Sequence, residues 1–270
     1  MCARVGVDNV AVVPVAASGA FGTPVSSAIP AAAERFALAD LDGDGAVDLV
    51  TSDRVANHVS VLLGLGDGSF GPATSYAAGF GPRAITVADV DGDDVLDVVA
   101  SNLGSAELSI LTGVGDGSLS SATTLFVATQ AKHLEVADLD GDGNDDLVLG
   151  GTGWSVAVLR GTGGGSFGAP TYLPVGGGDW FGSDGIADLT VAEASGDGVL
   201  DVLVSNRDSG ALCLLVGRGD GSFETNRAFE SLGTPGALAI GDVDGDGDRD
   251  AVVAGLDGLQ FVVLLGRLLR

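Results

Sequence analysis

The sequence predicts an all-β protein, a β-propeller of about five four-stranded antiparallel blades. Two observations carry this. An acidic, glycine-rich nine-residue loop occurs five times, and each copy is framed by short segments with strand periodicity. The loops start at Asp40, Asp89, Asp138, Glu193 and Asp242, so the successive steps are 49, 49, 55 and 49 residues. Regular self-similarity at this length marks a repeat architecture in which each unit buries its faces against its neighbours.

The elements follow in order within each unit. Before each loop lies an alternating segment, such as Phe36-Ala37-Leu38-Ala39, Ile85-Thr86-Val87-Ala88 or Leu134-Glu135-Val136-Ala137. Large residues at every second position are the strand period. Ala or Gly always stands just before the loop's first residue, as expected where strands converge with little room for side chains. After each loop comes an apolar strand (Leu49-Val50, Val98-Val99), which is expected to turn at Ser52-Asp53, Ser101-Asn102, Gly150-Gly151 and Ser205-Asn206. A third strand follows, with Val59/Val61, Leu108/Ile110, Val156/Val158, Leu212/Leu214 and Phe261/Val263, and it ends in Gly64, Gly113, Gly161, Gly217 or Gly266. A Gly-Asp-Gly-Ser type of turn then leads to the fourth strand, a pattern suited to tight hairpins. Four strands per unit make a sheet too small to bury both faces alone. Radial stacking solves that problem. A linear β-solenoid is the competing arrangement, but its rungs repeat at about 20–30 residues.

The expected organisation is one domain over residues 1–270, with units at about 30–78, 79–127, 128–175, 176–231 and 232–270, plus N-terminal strands over 9–28. Val10, Val12, Gly19, Phe21 and Gly22 lie 49 residues before Val59, Val61, Gly68, Phe70 and Gly71, so this segment reads as a third and fourth strand and not as a leader peptide. Residues 21–28 are then available to complete the last unit and close a five-bladed ring. The alternative is a segment of a larger propeller.

Composition restricts the function. With 12 Lys+Arg against 37 Asp+Glu, a formal charge of -25, the chain is a poor match for nucleic acid or an anionic membrane surface. Hydrophobic residues make up 46 %, in periodic runs, which argues for a folded chain and not a disordered acidic one. No stretch is apolar and long enough for membrane insertion. Cys2 and Cys213 make neither a disulfide framework nor a metal spacing, and Cys213 reads as a small buried hydrophobe. Positions 1, 3, 5 and 9 of the five loops hold 19 of the 37 acidic residues, so most of the charge belongs to the loops.

Such a loop suits a hard cation that takes six to eight oxygens, Ca²⁺ above all. Carboxylates at positions 1, 3, 5 and 9 and the carbonyl at 7 can converge on one point. The first loop offers Asp40, Asp42, Asp44, the Ala46 carbonyl and Asp48. The second offers Asp89, Asp91, Asp93, Val95 and Asp97, with Asp94 where the others have glycine, an expected point of strain. The third offers Asp138, Asp140, Asp142, Asn144 and Asp146, and the fifth Asp242, Asp244, Asp246, Asp248 and Asp250. In the fourth, Glu193, Ser195, Asp197, Val199 and Asp201 keep too few carboxylates, so it is expected to be weak or empty. Position 12 lacks the bidentate Glu of a helical calcium loop, which points to weak binding, on the order of 10⁻⁴ to 10⁻³ M.

Phe21-Gly22-Thr23-Pro24, Phe70-Gly71-Pro72-Ala73 and Phe167-Gly168-Ala169-Pro170, each ahead of an Asp-rich loop, resemble FG-GAP/VCBS repeats, the units of the integrin α-subunit propeller. Leu119-Ser120, Phe223-Glu224 and the fourth loop depart from that pattern. The resemblance implies a propeller with structural Ca²⁺ in the hairpin joining the first two strands of each blade, on a secreted or surface protein. It implies recognition or adhesion, with an extracellular protein or glycan as partner. Lectin-like sugar binding, or service as the non-catalytic part of a secreted polysaccharide-acting enzyme, is the alternative. Trp180 and Phe181, on a glycine-rich insertion in the fourth unit, are candidate ligand contacts. Trp154 is expected in the core. His58 and His133 have no nucleophile in a recognisable spacing, so no catalytic residue is assigned.

Overall fold

The computed structural model describes residues 9–15, 17–30, 33–176, 185–229, 233–255 and 261–266. Among them every regular element is a β-strand. Strands β1 (Asn9–Val12) and β2 (Val25–Ala28) form a hairpin. The first full sheet is β3 (Ala33–Ala39), β4 (Asp48–Asp53), β5 (His58–Leu62) and β6 (Thr74–Ala77), hydrogen-bonded in chain order. The second repeats it with β7 (Pro82–Ala88), β8 (Asp97–Asn102), β9 (Glu107–Leu111) and β10 (Thr123–Phe126). The third is β11 (Ala131–Ala137), β12 (Asp146–Gly151), β13 (Ser155–Leu159) and β14 (Thr171–Pro174). The fourth is β15 (Ile186–Ala192), β16 (Asp201–Asn206), β17 (Ala211–Leu215) and β18 (Arg227–Phe229). The last has β19 (Pro235–Gly241), β20 (Asp250–Gly255) and β21 (Phe261–Leu264). All pairs are antiparallel and sequential, so the fold is all-β and built of propeller-type blades.

The chain divides into two compact units, residues 1–130 and 131–270. In each unit, successive sheets share a core. In the first, Val50, Val59 and Val61 of one sheet meet Val98, Ala100 and Leu111 of the next. Leu49 and Leu62, on the opposite face of that first sheet, pack with Val10 and Ile29 beside the N-terminal hairpin. In the second unit, Val202, Val204 and Cys213 join Val148 and Val156, while Leu203, Leu212 and Leu214 face Ala251 and Val253. The second strand is buried on both faces, which explains its apolar middle, and the polar residues at its ends are buried with it. The strands that precede the acidic loops lie side by side within a unit, β3 with β7, β11 with β15 and β15 with β19. Asp188 ties three of them together: its Oδ1 is 3.3 Å from His133 Nδ1 and its Oδ2 accepts the Leu238 N–H at 2.9 Å. His133 is therefore a partner of Asp188 between neighbouring sheets.

Several expectations are revised. Ser52, Asp53, Ser101, Asn102, Ser205 and Asn206 are not turn residues; they are buried ends of the second strand. Burial is tolerable because most of their polar atoms are used, Asn102 Oδ1 being the exception. Ser52 Oγ donates to the Arg83 carbonyl and Ser205 Oγ to the Gly236 carbonyl of the next sheet, at 3.0 and 2.6 Å. Asp53 and Asn206 cap the following turns by accepting N–H groups two and three residues ahead. Residues 25–28 pair with 9–12, in register from Val12↔Val25 to Asn9↔Ala28. Trp154 is half-buried in the turn ahead of β13 and is not a core residue.

The glycine that ends each third strand is needed for close approach. A Cβ on Gly64, Gly113, Gly161, Gly217 or Gly266 would lie 2.1–2.4 Å from a backbone carbonyl oxygen, that of Val47, Leu96, Asp145, Leu200 or Arg249. Gly217→Ala should therefore cost roughly 2–3 kcal/mol in denaturant unfolding. Gly241→Ala, where nothing lies within 4 Å, should stay within about 0.5 kcal/mol. Equal effects would contradict the steric account.

Candidate metal centres and the aspartate staple

Each acidic loop joins the first two strands of its sheet. Its geometry is set by carboxylates accepting backbone N–H groups. The position-1 residue organises the loop: Asp138 Oδ1 accepts from Gly141 and Oδ2 from Gly143, at 2.8 and 3.0 Å. Asp89 and Asp242 repeat both bonds, whereas Asp40 accepts the Gly45 N–H through Oδ2 alone and Glu193 accepts N–H groups of its loop through Oε1 alone. Position 5 ties position 7, as where the N–H groups of Ala46, Val95, Asn144, Val199 and Asp248 donate to Asp44, Asp93, Asp142, Asp197 and Asp246.

Position 9 has a role that its place in an acidic loop conceals. Asp48, Asp97, Asp146, Asp201 and Asp250 are 0–1 % exposed. One oxygen of each accepts the N–H of loop position 2: Leu41, Val90, Leu139, Ala194 or Val243, at 2.7–3.0 Å. The other accepts the N–H of the glycine ending the third strand, Gly64, Gly113, Gly161, Gly217 or Gly266, at 2.7–2.9 Å. This carboxylate therefore staples the loop to a strand two elements away. The glycine's missing side chain is what lets its N–H reach the carboxylate.

The loops also gather oxygens that are available to a cation. Carboxylate oxygens of Asp40, Asp42 and Asp48, of Asp89, Asp91 and Asp97, of Asp138, Asp140 and Asp146, and of Asp242, Asp244 and Asp246 lie within 4.8 Å of one another in each trio. Asp40 Oδ1 is buried and has no hydrogen-bond partner. An all-oxygen donor set with an unpaired buried carboxylate oxygen fits a hard divalent cation. Among the described residues, the fourth loop gathers no such trio. Its Asp201 instead accepts a further N–H, from Ser195, at 2.8 Å.

Two loops have particular features. Asp94 adopts φ 67°, against 86–90° for Gly45, Gly143, Gly198 and Gly247 at the same position, and its N–H still reaches Asp89 at 2.8 Å. The aspartate thus carries the left-handed backbone predicted for it, at a cost that glycine avoids. In the third loop, Arg160 Nη1 stands 3.3 Å from Asp140 Oδ2, and its other terminal nitrogen donates to the Asp220 carbonyl. This guanidinium offsets part of the third loop's charge. Burial pushes the Asp97 and Asp146 carboxyls up from the ordinary value; the two N–H groups each accepts oppose the rise, and neighbouring carboxylates add to it.

A family model described as FG-GAP-like repeat matches residues 40–100, 138–204 and 194–253, more than half of the chain. The chain belongs to the FG-GAP-like repeat family. Its fold is similar to that of an Agrocybe aegerita lectin that specifically recognises non-reducing terminal N-acetylglucosamine, with 23 % identity and a TM-score of 0.67 over 95 % of this chain and 74 % of the lectin. It is also similar to the periplasmic gluconolactonase of Pseudomonas aeruginosa, at 21 % identity and TM-score 0.58 over 88 % of this chain and 68 % of that one. An auxiliary nutrient binding protein of Bacteroides ovatus matches at 13 % identity and TM-score 0.53, over 93 % and 62 %. These likenesses are of fold. No curated protein matches the sequence at a significant level.

The insertion residues Trp180 and Phe181 lie outside the described residues. The sequence reading did not assign the staple or its glycine partner. Their signal was present in the fixed interval of 16 residues, or 15 in the third repeat, between the ninth loop position and the glycine.

Two substitutions separate staple from cation site. Asp201→Asn places an amide donor against N–H groups and should cost about 2–4 kcal/mol with or without calcium. Asp42→Asn keeps an acceptor for the Asp44 N–H and should chiefly reduce the calcium-induced rise in melting temperature. The account of Asp201 fails if calcium rescues Asp201→Asn. In a third variant, Asp94→Gly should raise the melting temperature, corresponding to about 1 kcal/mol of relieved backbone strain. A lower value would show that Asp94 contributes more by its side chain than it costs.

Proposed function

We propose that this chain is a calcium-stabilised, non-catalytic recognition and adhesion module that works outside the cell, with a glycan as the favoured ligand class. The observation that carries the calcium reading is the recurrence of a three-carboxylate oxygen cluster in four loops, with Asp40 Oδ1 buried and unpaired in one of them. Asp40, Asp42 and Asp48 and their counterparts would hold the ions, with Asp44 and the Ala46 carbonyl, and the matching residues of the other loops, completing each shell. Calcium supplies charge neutralisation there. The chain's own residues fix the loop by hydrogen bonds whether or not an ion is bound. Family membership supports an extracellular setting, and the likeness to a lectin supports the glycan over a protein ligand.

Calcium binds the folded loops, so it should stabilise the fold by mass action, about 1.4 kcal/mol per site at ten times Kd. The pH dependence has a defined sign. A carboxyl raised in the fold holds its proton more tightly there than in the unfolded chain. Asp97 and Asp146 therefore stabilise the metal-free protein at low pH, and that contribution is lost as pH rises through the raised values. A cation requires the ionised form, so its contribution runs the other way. The melting temperature in excess calcium, relative to chelator, should rise clearly at about pH 7.5 and much less at about pH 4. No rise at the higher pH would refute calcium stabilisation.

A further inference from the structure

We propose that the groove between the first and second full sheets, walled by their outer strands β6 and β10, binds a neutral pyranoside. This rests on the glycan reading above and adds the site. The groove has a volume of about 560 Å³, and Ser75, Tyr76, Ser109, Ser121 and Thr124 are among its lining residues. That size falls within the roughly 300–1,000 Å³ of small-molecule sites.

Three features of the lining select the ligand class. First, none of the residues that line it is charged, in a chain with a net charge of -25. A cationic or anionic ligand finds no direct counter-charge there. Second, the wall is rich in hydroxyls, and they are held in different ways. Ser109 Oγ accepts hydrogen bonds from the Gly79 N–H and the Asn102 amide, both at 2.9 Å, and is fully buried, so it ties the two walls together. Ser75 contributes backbone to the rim, since its Oγ pairs with Ser60 Oγ at 2.8 Å on the opposite face of the first sheet. Among the described residues, the hydroxyls of Ser121 and Thr124 have no hydrogen-bond partner. The exposed hydroxyls of Ser121 and Thr124 can donate to and accept from vicinal sugar hydroxyls. Third, Tyr76 is half-buried and packed against the core of these two sheets, so its ring is held in place as a flat apolar surface for a sugar's C–H face.

The repeat itself supplies the comparison. Ser109 and Thr124 are register partners across β9 and β10. The corresponding partners in the fourth sheet are Cys213 and Ala228, and in the third Ala157 and Tyr172. Packing is therefore met at these positions without hydroxyls. The cysteine is fully buried, with its thiol donating to the Val175 carbonyl at 2.9 Å. The first sheet carries hydroxyls at the matching positions, Ser60 and Ser75, so the pair is shared by the first two sheets and absent from the third and fourth.

The test is a glycan array that includes neutral and N-acetylglucosamine-terminated glycans, followed by titration of the strongest binder into the full chain in calcium. Thr124→Tyr fills the groove with the residue that the third sheet carries at the matching position. Thr123→Tyr places the same bulk on the other face of the strand. Wild type and Thr123→Tyr should bind alike, Thr124→Tyr should bind at least about tenfold more weakly, and Ser121→Ala, the milder change, should bind several-fold more weakly. Unchanged binding by Thr124→Tyr and Ser121→Ala would overturn the site and leave the glycan reading standing. No glycan bound by the wild type would overturn both.

Discussion

In each blade a buried carboxylate accepts hydrogen bonds from two separate stretches of backbone, and the other features of the blade are arranged around it. The position-9 aspartate joins the second residue of the acidic loop to the glycine at the far end of the third strand. A charge in that position is costly unless fully hydrogen-bonded, and N–H groups left without it would be costly in turn. The constraint is therefore mutual. It requires aspartate, it requires a glycine without a Cβ, and it places the strand end against the carbonyl just before the aspartate. All five copies satisfy it, including the loop that gathers no cation trio among the described residues.

This separates two roles that one motif carries. Hydrogen bonds among the loop's own groups and the staple define its shape. The remaining carboxylate oxygens are brought close enough to repel one another, and a cation relieves that repulsion. The third loop shows a second way to relieve it, with Arg160 beside Asp140. The loops can therefore diverge as metal sites while every blade keeps its form, and Glu193 and Ser195 mark the place where that has happened.

Much of the fold was legible in the sequence because the repeat samples the same physics five times. The 49-residue spacing, the alternation of Ile85 and Val87 and the glycine turns led directly to four-stranded sheets. The role of Asp48 was not legible, since an aspartate that binds backbone and one that binds a cation look the same at that spacing. Ser52-Asp53 and Ser205-Asn206 misled for a related reason. Small polar residues normally mark turns, and only the neighbouring sheet supplies the acceptors that allow them inside a strand. The hydroxyl-lined groove depends on two strands far apart in the chain and on register, neither of which a motif records.

Amide hydrogen exchange at the five third-strand glycines tests the staple most directly. The N–H groups of Gly64, Gly113, Gly161, Gly217 and Gly266 should exchange as slowly as those of the buried second strands, both in calcium and in chelator, because their acceptor is the aspartate and not the ion. Exchange in chelator as fast as that of the exposed acidic-loop amides would show that the ion holds the blade together, and would contradict the account.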